Sequence, residues 1–265
     1  MIKEYKDGKS FIDENRDFLL KNPHMTGFFF FDEPLLVKSD KKNFAMKVEE
    51  DNKKLLAMKV EPFGLMLYGN KDLSFKMLKY LLDNNFEFSN ILCSKDIGGH
   101  IVEISKESFG LEYYEGLAMD FMEATSYTQE SSSQVEVAHE KDLDQIVGLV
   151  RAFIQECNLL EEDNPDQIRS QISNYRLVKL DGKIVSIGAK FEMDENSTRI
   201  SNVYTLKEYR GSGYSRKIVN TLKNEILESG KTAVLNVDRY NPVTNHLYRE
   251  LGFKVLFSQG EYRLR

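Results

Sequence analysis

The sequence predicts a mixed α/β fold of α+β character, laid out as two halves. Residues 135–265 read as β-α-α-β-β-β-α-β-α-β-β, and the first half runs through a muted form of the same order. Between them, residues 125–134 are polar, Ser/Thr-rich and without aliphatic side chains, the composition of a solvated linker. The expected division is 1–124, a linker at 125–134, and a second domain at 135–265.

In the first half, Asn43 to Glu49 and Leu55 to Pro62 form a strand pair around Asp51-Asn52, and Gly64 to Tyr68 supplies a third strand. A helix with Phe75, Leu78, Leu81 and Leu82 on one face follows, then a strand at Asn90 to Ser94. Ile97 to Phe109 reads as a helix ended by Gly110, ahead of Leu111 to Tyr114. Phe28 to Phe31, the most concentrated apolar run, has the length of a strand. Short elements align easily, so chance is the competing account of the repeat; an internal duplication is preferred.

In the second half, Val135 to Val137 alternates like a strand, and Leu143, Ile146, Val147, Val150 and Ile154 recur at helical spacing. A short helix starts after Asn164, with Pro165 in its first turn. Strands at Tyr175 to Leu180, Lys183 to Met193 and Ser197 to Leu206 come next, the first pair closed by the hairpin dipeptide Asp181-Gly182. A helix follows Gly211 and Gly213, burying Ile218, Val219, Leu222 and Ile226 and ending near Gly230. Ala233 to Val237 is a buried strand, and a helix from Pro242 to Leu251 precedes Gly252 and two short strands.

The charge balance is 36 Lys and Arg against 42 Asp and Glu, a net −6 with pI near 5.4. That argues against a nucleic-acid partner, because phosphate neutralisation needs concentrated basic residues. No apolar run approaches the ~20 residues that span a bilayer, so no membrane partner is expected, and the charged start lacks a signal-peptide core. Two cysteines, Cys93 and Cys157, give no disulfide framework, and core packing is expected for both. The four histidines are scattered without metal-ligand spacing, so no metal is expected. The reading is cytoplasmic.

Tyr209-Arg210-Gly211-Ser212-Gly213-Tyr214-Ser215 lies between a strand and a helix. Two glycines there allow close backbone approach, and the N–H groups of a helix start cradle an anion. The competing reading of the glycines is a tight turn. Neither a Walker loop nor a dinucleotide fingerprint is present.

Arg210-x-x-Gly213-x-Ser215 resembles the Arg/Gln-x-x-Gly-x-Gly/Ala signature of the GNAT (GCN5-related N-acetyltransferase) superfamily. Val203-Tyr204-Thr205 resembles its central strand, and Asn241-Pro242-x-x-Asn245-x-x-Tyr248-x-x-x-Gly252-Phe253 its C-terminal signature. Ser215 departs from the usual Gly or Ala. The resemblance implies a GNAT acyltransferase fold, clear in 135–265 and topological in the first half, and an N-acetyltransferase. It would move acetyl from acetyl-CoA to a primary amine of a small-molecule or peptide acceptor by direct attack in a ternary complex. It places pyrophosphate on Arg210 to Ser215 (Gly211, Ser212, Gly213 and Tyr214 included) and pantetheine along the backbone of Val203 and Thr205. Tyr204 faces the other side of the sheet and is expected in the core.

Asn241, Asn245 and Tyr248 share one helical face, while Val243, Leu247 and Leu251 share another and are expected to face the core. By the resemblance, Asn245 bonds the cofactor and Tyr248 protonates the departing thiolate; Asn241 and, on the preceding strand, Asn236 are further cofactor contacts. The general base stays open: Asn202 stands where relatives carry a carboxylate, and Glu192 and Asp238 are read as surface carboxylates. The first half has one glycine in Tyr68-Gly69-Asn70-Lys71-Asp72-Leu73 and reads as a degenerate copy that does not bind CoA. The alternative for the whole chain is a non-catalytic CoA-binding regulatory or scaffold module.

Overall fold

The computed structural model describes residues 1–128, 133–157 and 163–265; residues 129–132 of the expected linker lie outside them. Its first elements are β1 (Ile2–Tyr5), α1 (Gly8–Leu19), α2 (Pro23–Asp32), β2 (Phe44–Glu50), β3 (Lys53–Lys59), β4 (Leu65–Gly69), α3 (Ser74–Asp83), β5 (Asn90–Ser94), α4 (Lys95–Phe109) and β6 (Tyr113–Ala124). Then come β7 (Glu136–Val137), α5 (Leu143–Glu156), α6 (Pro165–Ser170), β8 (Tyr175–Leu180), β9 (Lys183–Glu192), β10 (Ser197–Thr205), α7 (Tyr214–Glu228), β11 (Thr232–Asp238), α8 (Pro242–Glu250) and β12 (Lys254–Leu264).

Two compact units result, one of residues 1–120 with 257–265, the other of 121–256. The last nine residues thus belong to the first unit, because β12 pairs antiparallel with β5 from Gln259↔Ser94 to Arg263↔Asn90. In the sequence those residues close the second domain; strand partners are chosen by tertiary pairing, which order along the chain does not encode.

The first unit orders its strands β1-β2-β3-β4-β5-β12, antiparallel except for β4 with β5. Asp51 and Asn52 both take positive φ, closing the β2–β3 hairpin as the dipeptide predicts. One sheet face packs Phe44, Leu55, Met77, Leu78 and Leu81 with Ile97 and Ile101; the other packs Phe11, Ile12, Leu19 and Phe29 with Leu56 and Met58. Two local expectations change. Phe28 to Phe31 is helical, within α2, because Pro23 starts a helix whose all-apolar stretch has no period to read. Phe75 is 42% exposed, while Ser74 and Met77 take the inward positions of α3.

The second unit orders its strands β6-β11-β10-β9-β8-β7. Neighbours from β7 to β10 are antiparallel, and β10 runs parallel to β11. Asp181 and Gly182 again have positive φ. Helices α7 and α8 cover one face through Ile218, Val219, Leu222, Ile226, Tyr248 and Leu251, and α5 and α6 cover the other through Leu143, Ile146, Val150 and Ile168. Met122 and Ala124 of β6 join the α7 side. The two short strands expected after α8 are one eleven-residue strand, β12.

Candidate active site

Strands β10 and β11 pair over Ser197↔Thr232, Thr198↔Ala233 and Arg199↔Val234, and among the described residues no further. Beyond Arg199 they diverge. A register shift against β9 between Ser201 and Tyr204, with Asn202 at φ 54°, turns the strand at that point. The Leu206 N–H donates to Val185 O in β9 at 3.0 Å, so by alternation the Thr205 carbonyl is turned to the open edge facing the gap. Side chains alternate as expected: Val203 packs on the α7 side and Tyr204, 8% exposed, in the α5 side core. Thr205 Oγ1 shares a 2.8 Å hydrogen bond with Ser186 Oγ.

The loop after β10 carries Gly211 at φ 81° and Gly213 at φ 77°, and an added Cβ at either would meet no protein atom within 4 Å. Gly213 is the N-cap of α7, which no side chain of that residue can cap. Gly211, Ser212 and Gly213 are exposed, and Tyr214 and Ser215 half-buried. Left-handed backbone, open space and an uncapped helix start are what anion binding by main-chain N–H groups requires. Gly69, the corresponding glycine of the first unit, differs: its Cβ would lie 2.2 Å from Lys54 O, so it serves a close approach to β3.

Arg210 is fixed from three sides. Its Nε donates to Thr205 O at 3.0 Å, its Nη2 to Glu156 Oε1 and Oε2 at 2.8 and 2.9 Å, and its guanidinium lies 5.5 Å from the Tyr204 ring centre. The Arg210 guanidinium holds the Glu156 carboxyl below the usual glutamate range. Glu156 and Cys157 end α5 at this gap, and no pattern in the sequence marked them. Cys93 is buried as expected, but Cys157 is exposed: the α5 stripe that buries Ile146 and Val150 has turned away by its last residue. Although the residue is exposed overall, desolvation of the sulfur itself, with the negative charges of Glu156 and Asp238, pushes the Cys157 thiol up.

On the far side of the gap, Tyr248 is 7% exposed and packs edge-on to Phe253. Burial pushes its phenol up to about 12. Asn245 and Tyr248 of the stripe predicted to be polar are buried; of the residues expected to face the core, Leu251 is buried and Leu247 packs on the same cluster, whereas Val243 is 74% exposed. The physical reason is that the Asn245 NH2 group finds its acceptors inside the protein. Its Nδ2 donates to the carbonyls of Asp238 and Asn241 at 2.7 and 2.8 Å, bracing the β11–α8 turn. Asn241 Oδ1 caps α8 through the Val243 and Thr244 N–H groups, both at 3.2 Å. The Oδ1 atoms of Asn245 and Asn236 are buried and accept no hydrogen bond.

The carboxylates considered as bases are engaged elsewhere. Glu192 is ion-paired with Lys231, and Asp238 Oδ1 accepts the Tyr240 N–H at 2.9 Å. Asn202 Nδ2 donates to the buried Tyr175 hydroxyl at 3.0 Å. His246 is exposed beside Glu250, away from the gap. Among the described residues no three His, Cys, Asp or Glu side chains are grouped to hold a metal ion, and no helix is long and apolar enough to cross a membrane.

The sheet is split between its two parallel strands next to a glycine loop that opens a helix, and the chain shares its fold with solved acetyltransferases of the GNAT family. Residues 185–264 match the FR47-like protein family. Over its length the chain is similar to an acetyltransferase of the GNAT family from Colwellia psychrerythraea, at 11% identity and TM-score 0.61, covering 100% of this chain and 98% of that one. It is also similar to a GCN5-related N-acetyltransferase from Sphaerobacter thermophilus, at 12% identity and TM-score 0.62, covering 89% and 84%. A Drosophila protein aligns at 10% identity and TM-score 0.55, covering 100% and 98%. At such identities the likeness is one of fold. No curated protein sequence matches the chain.

Proposed function

We propose that the second unit binds acetyl-CoA and transfers its acetyl group to a primary amine. The observation that carries this reading is the open edge of β10 beyond Arg199, continuous with a loop whose two glycines face empty space. An extended pantetheine arm can add to that edge as a strand would, through the backbone of Val203 and the N–H of Thr205, whose carbonyl is held by Arg210. The pyrophosphate then meets the N–H groups from Gly211 to Ser215, where a positive helix end favours an anion. Asn236 Oδ1 and Asn245 Oδ1, buried without donors, suit an amide N–H of the same ligand.

Bound acetyl-CoA supplies an activated acyl carbon; the chain's residues position and protonate. The amine nitrogen forms its bond to that carbon as the carbon–sulfur bond breaks, the electron pair leaves on sulfur, and one amine proton passes to solvent. Tyr248, protonated at neutral pH because burial disfavours its phenolate, donates its proton to the departing sulfur and recovers one from solvent, which has taken the amine proton. Asn202 cannot be a base, so solvent takes the amine proton. The first unit is a degenerate copy without CoA affinity, since its junction glycine is filled by β3 rather than open.

The test is thermal unfolding with and without ligand. At acetyl-CoA ~100-fold above Kd, binding adds about 2.7 kcal/mol and raises Tm by about 5 °C. An unmoved transition sinks the assignment. Tight binding with no acceptor-dependent thiol release would favour the non-catalytic module, which Asn202 in place of a carboxylate supports.

A further inference from the structure

In the first unit, α2 and the short 3-10 turn after it, Glu33–Leu35, are apolar on both sides. One side is filled by the core. Phe29 stacks on Phe11 with ring centres 5.9 Å apart, Thr26 Oγ1 donates to Leu19 O at 2.8 Å, and the Arg16 guanidinium lies 5.7 Å from the Phe30 ring centre. The opposite side carries Gly27, Phe28, Phe31, Pro34 and Leu35 at helical spacing, all of them exposed, Phe31 by 70%. A helix that is apolar all round is ordinarily buried all round.

With Val37, 81% exposed just beyond, these side chains present on the order of 400 Å² of apolar surface, the size at which a patch marks an interaction site. That is about half of the ~800 Å² each partner buries in a stable association, of which a polar rim supplies the remainder.

Gly27 says what fits there. It lies inside α2, and an added Cβ would meet no protein atom within 4 Å. Neither packing within the chain nor its helical backbone requires glycine, which weakens a helix relative to alanine. On the exposed face it leaves a hollow one turn from the Phe31 ring, so one stripe holds both a knob and a hole. Such a surface is complementary to itself about a two-fold axis. Its five residues are uncharged, so two copies of a chain with net charge −6 meet there without like charges in contact. A lipid surface fits less well, because no Lys or Arg stands between Asn22 and Val37 to meet anionic headgroups, whereas Asp32 and Glu33 do.

We infer that the exposed face of α2 is where a second copy of this chain docks, α2 against α2 in antiparallel order, with the Phe31 ring of each copy seated over Gly27 of the other. The inference is independent of the acetyl-transfer reading.

Sedimentation velocity of the full-length chain from ~1 to ~100 μM is expected to show monomer passing to dimer. Phe31→Glu, at an exposed position, should stay monomeric throughout, with the Tm measured at ~1 μM unchanged. Gly27→Leu separates a specific seat from general stickiness. It adds apolar surface and a better helix former, yet by filling the hollow it should raise the dimer Kd by ~10-fold or more. A wild-type chain that stays monomeric at ~100 μM overturns the inference. So does a dimer that Phe31→Glu leaves intact or that Gly27→Leu tightens. Binding of a monomeric wild-type chain to vesicles of phosphatidylcholine with phosphatidylglycerol, lost in Phe31→Glu, would overturn it in favour of a lipid surface.

Discussion

Glu156, the last residue of α5, clasps Arg210 of the glycine loop through both carboxylate oxygens, at 2.8 and 2.9 Å, while the same guanidinium caps the Thr205 carbonyl at 3.0 Å. A helix end, a loop and the last open carbonyl of β10 are joined by one side chain. The pair sits where a polyphosphate ligand would run, so the carboxylate repels that ligand and occupies the cation that would attract it.

Glu156→Gln should therefore tighten acetyl-CoA binding by about 3- to 10-fold, because Arg210 is released toward the phosphates. Both side chains are more than a third exposed, so the pair adds at most about 1 kcal/mol to stability and the apo Tm should move little. The folded-state pKa of Glu156 is depressed, so the stability it contributes is present above the unfolded value and lost only as pH falls through the lower folded one. Acid should thus release Arg210 from Glu156 at a lower pH than an unpaired glutamate would titrate. Calorimetric titration of both proteins checks this, and weaker binding by the variant would refute it.

Gly213→Val tests the loop. At φ 77° a branched side chain costs roughly 1–2 kcal/mol in strain and projects into the open space assigned to pyrophosphate. Binding should weaken by at least ~100-fold, more than strain of that size explains. Gly182→Val is the control: it has φ 80° and equally open surroundings, but lies in the β8–β9 turn. It should lose similar stability and keep its affinity.

Tyr248→Phe removes a hydroxyl and keeps the ring that packs on Phe253. We expect kcat to fall by at least ~10-fold, with acetyl-CoA affinity and Tm nearly unchanged. A drop in Tm without a drop in kcat would place the side chain among the packing residues alone.

In the first unit, Asp32 is 3% exposed, and burial raises its carboxyl to about 6. Because the unfolded chain ionises first, stability is greatest below the unfolded aspartate pKa and is lost as pH rises toward the folded value. Asp32→Asn should raise Tm at pH 7.5 and leave it unchanged near pH 4, as differential scanning calorimetry across that range would show.

Much of this was legible in local sequence. Hairpins at Asp51-Asn52 and Asp181-Gly182, the caps at Asn164 and Gly110, and the glycine loop before α7 depend on φ preferences and donor geometry within a few residues. Periodicity gave the inward residues of α5 and α7 because those helices bury one apolar stripe. It failed at α8, where Asn245 is buried because backbone carbonyls seven and four residues earlier satisfy its amide, a fact of the folded turn. It failed again at Phe28 to Phe31, where an all-apolar run has no period.

The sequence by itself determined most of the hairpins and helices from β2 onward and the glycine loop before α7, since each is a property of neighbours along the chain. Only the tertiary structure decided that β12 completes the first unit's sheet, and that Glu156 reaches Arg210 of the glycine loop. Strand partners and ion pairs join residues far apart in the chain, and their free energies exist only once the fold has brought them together.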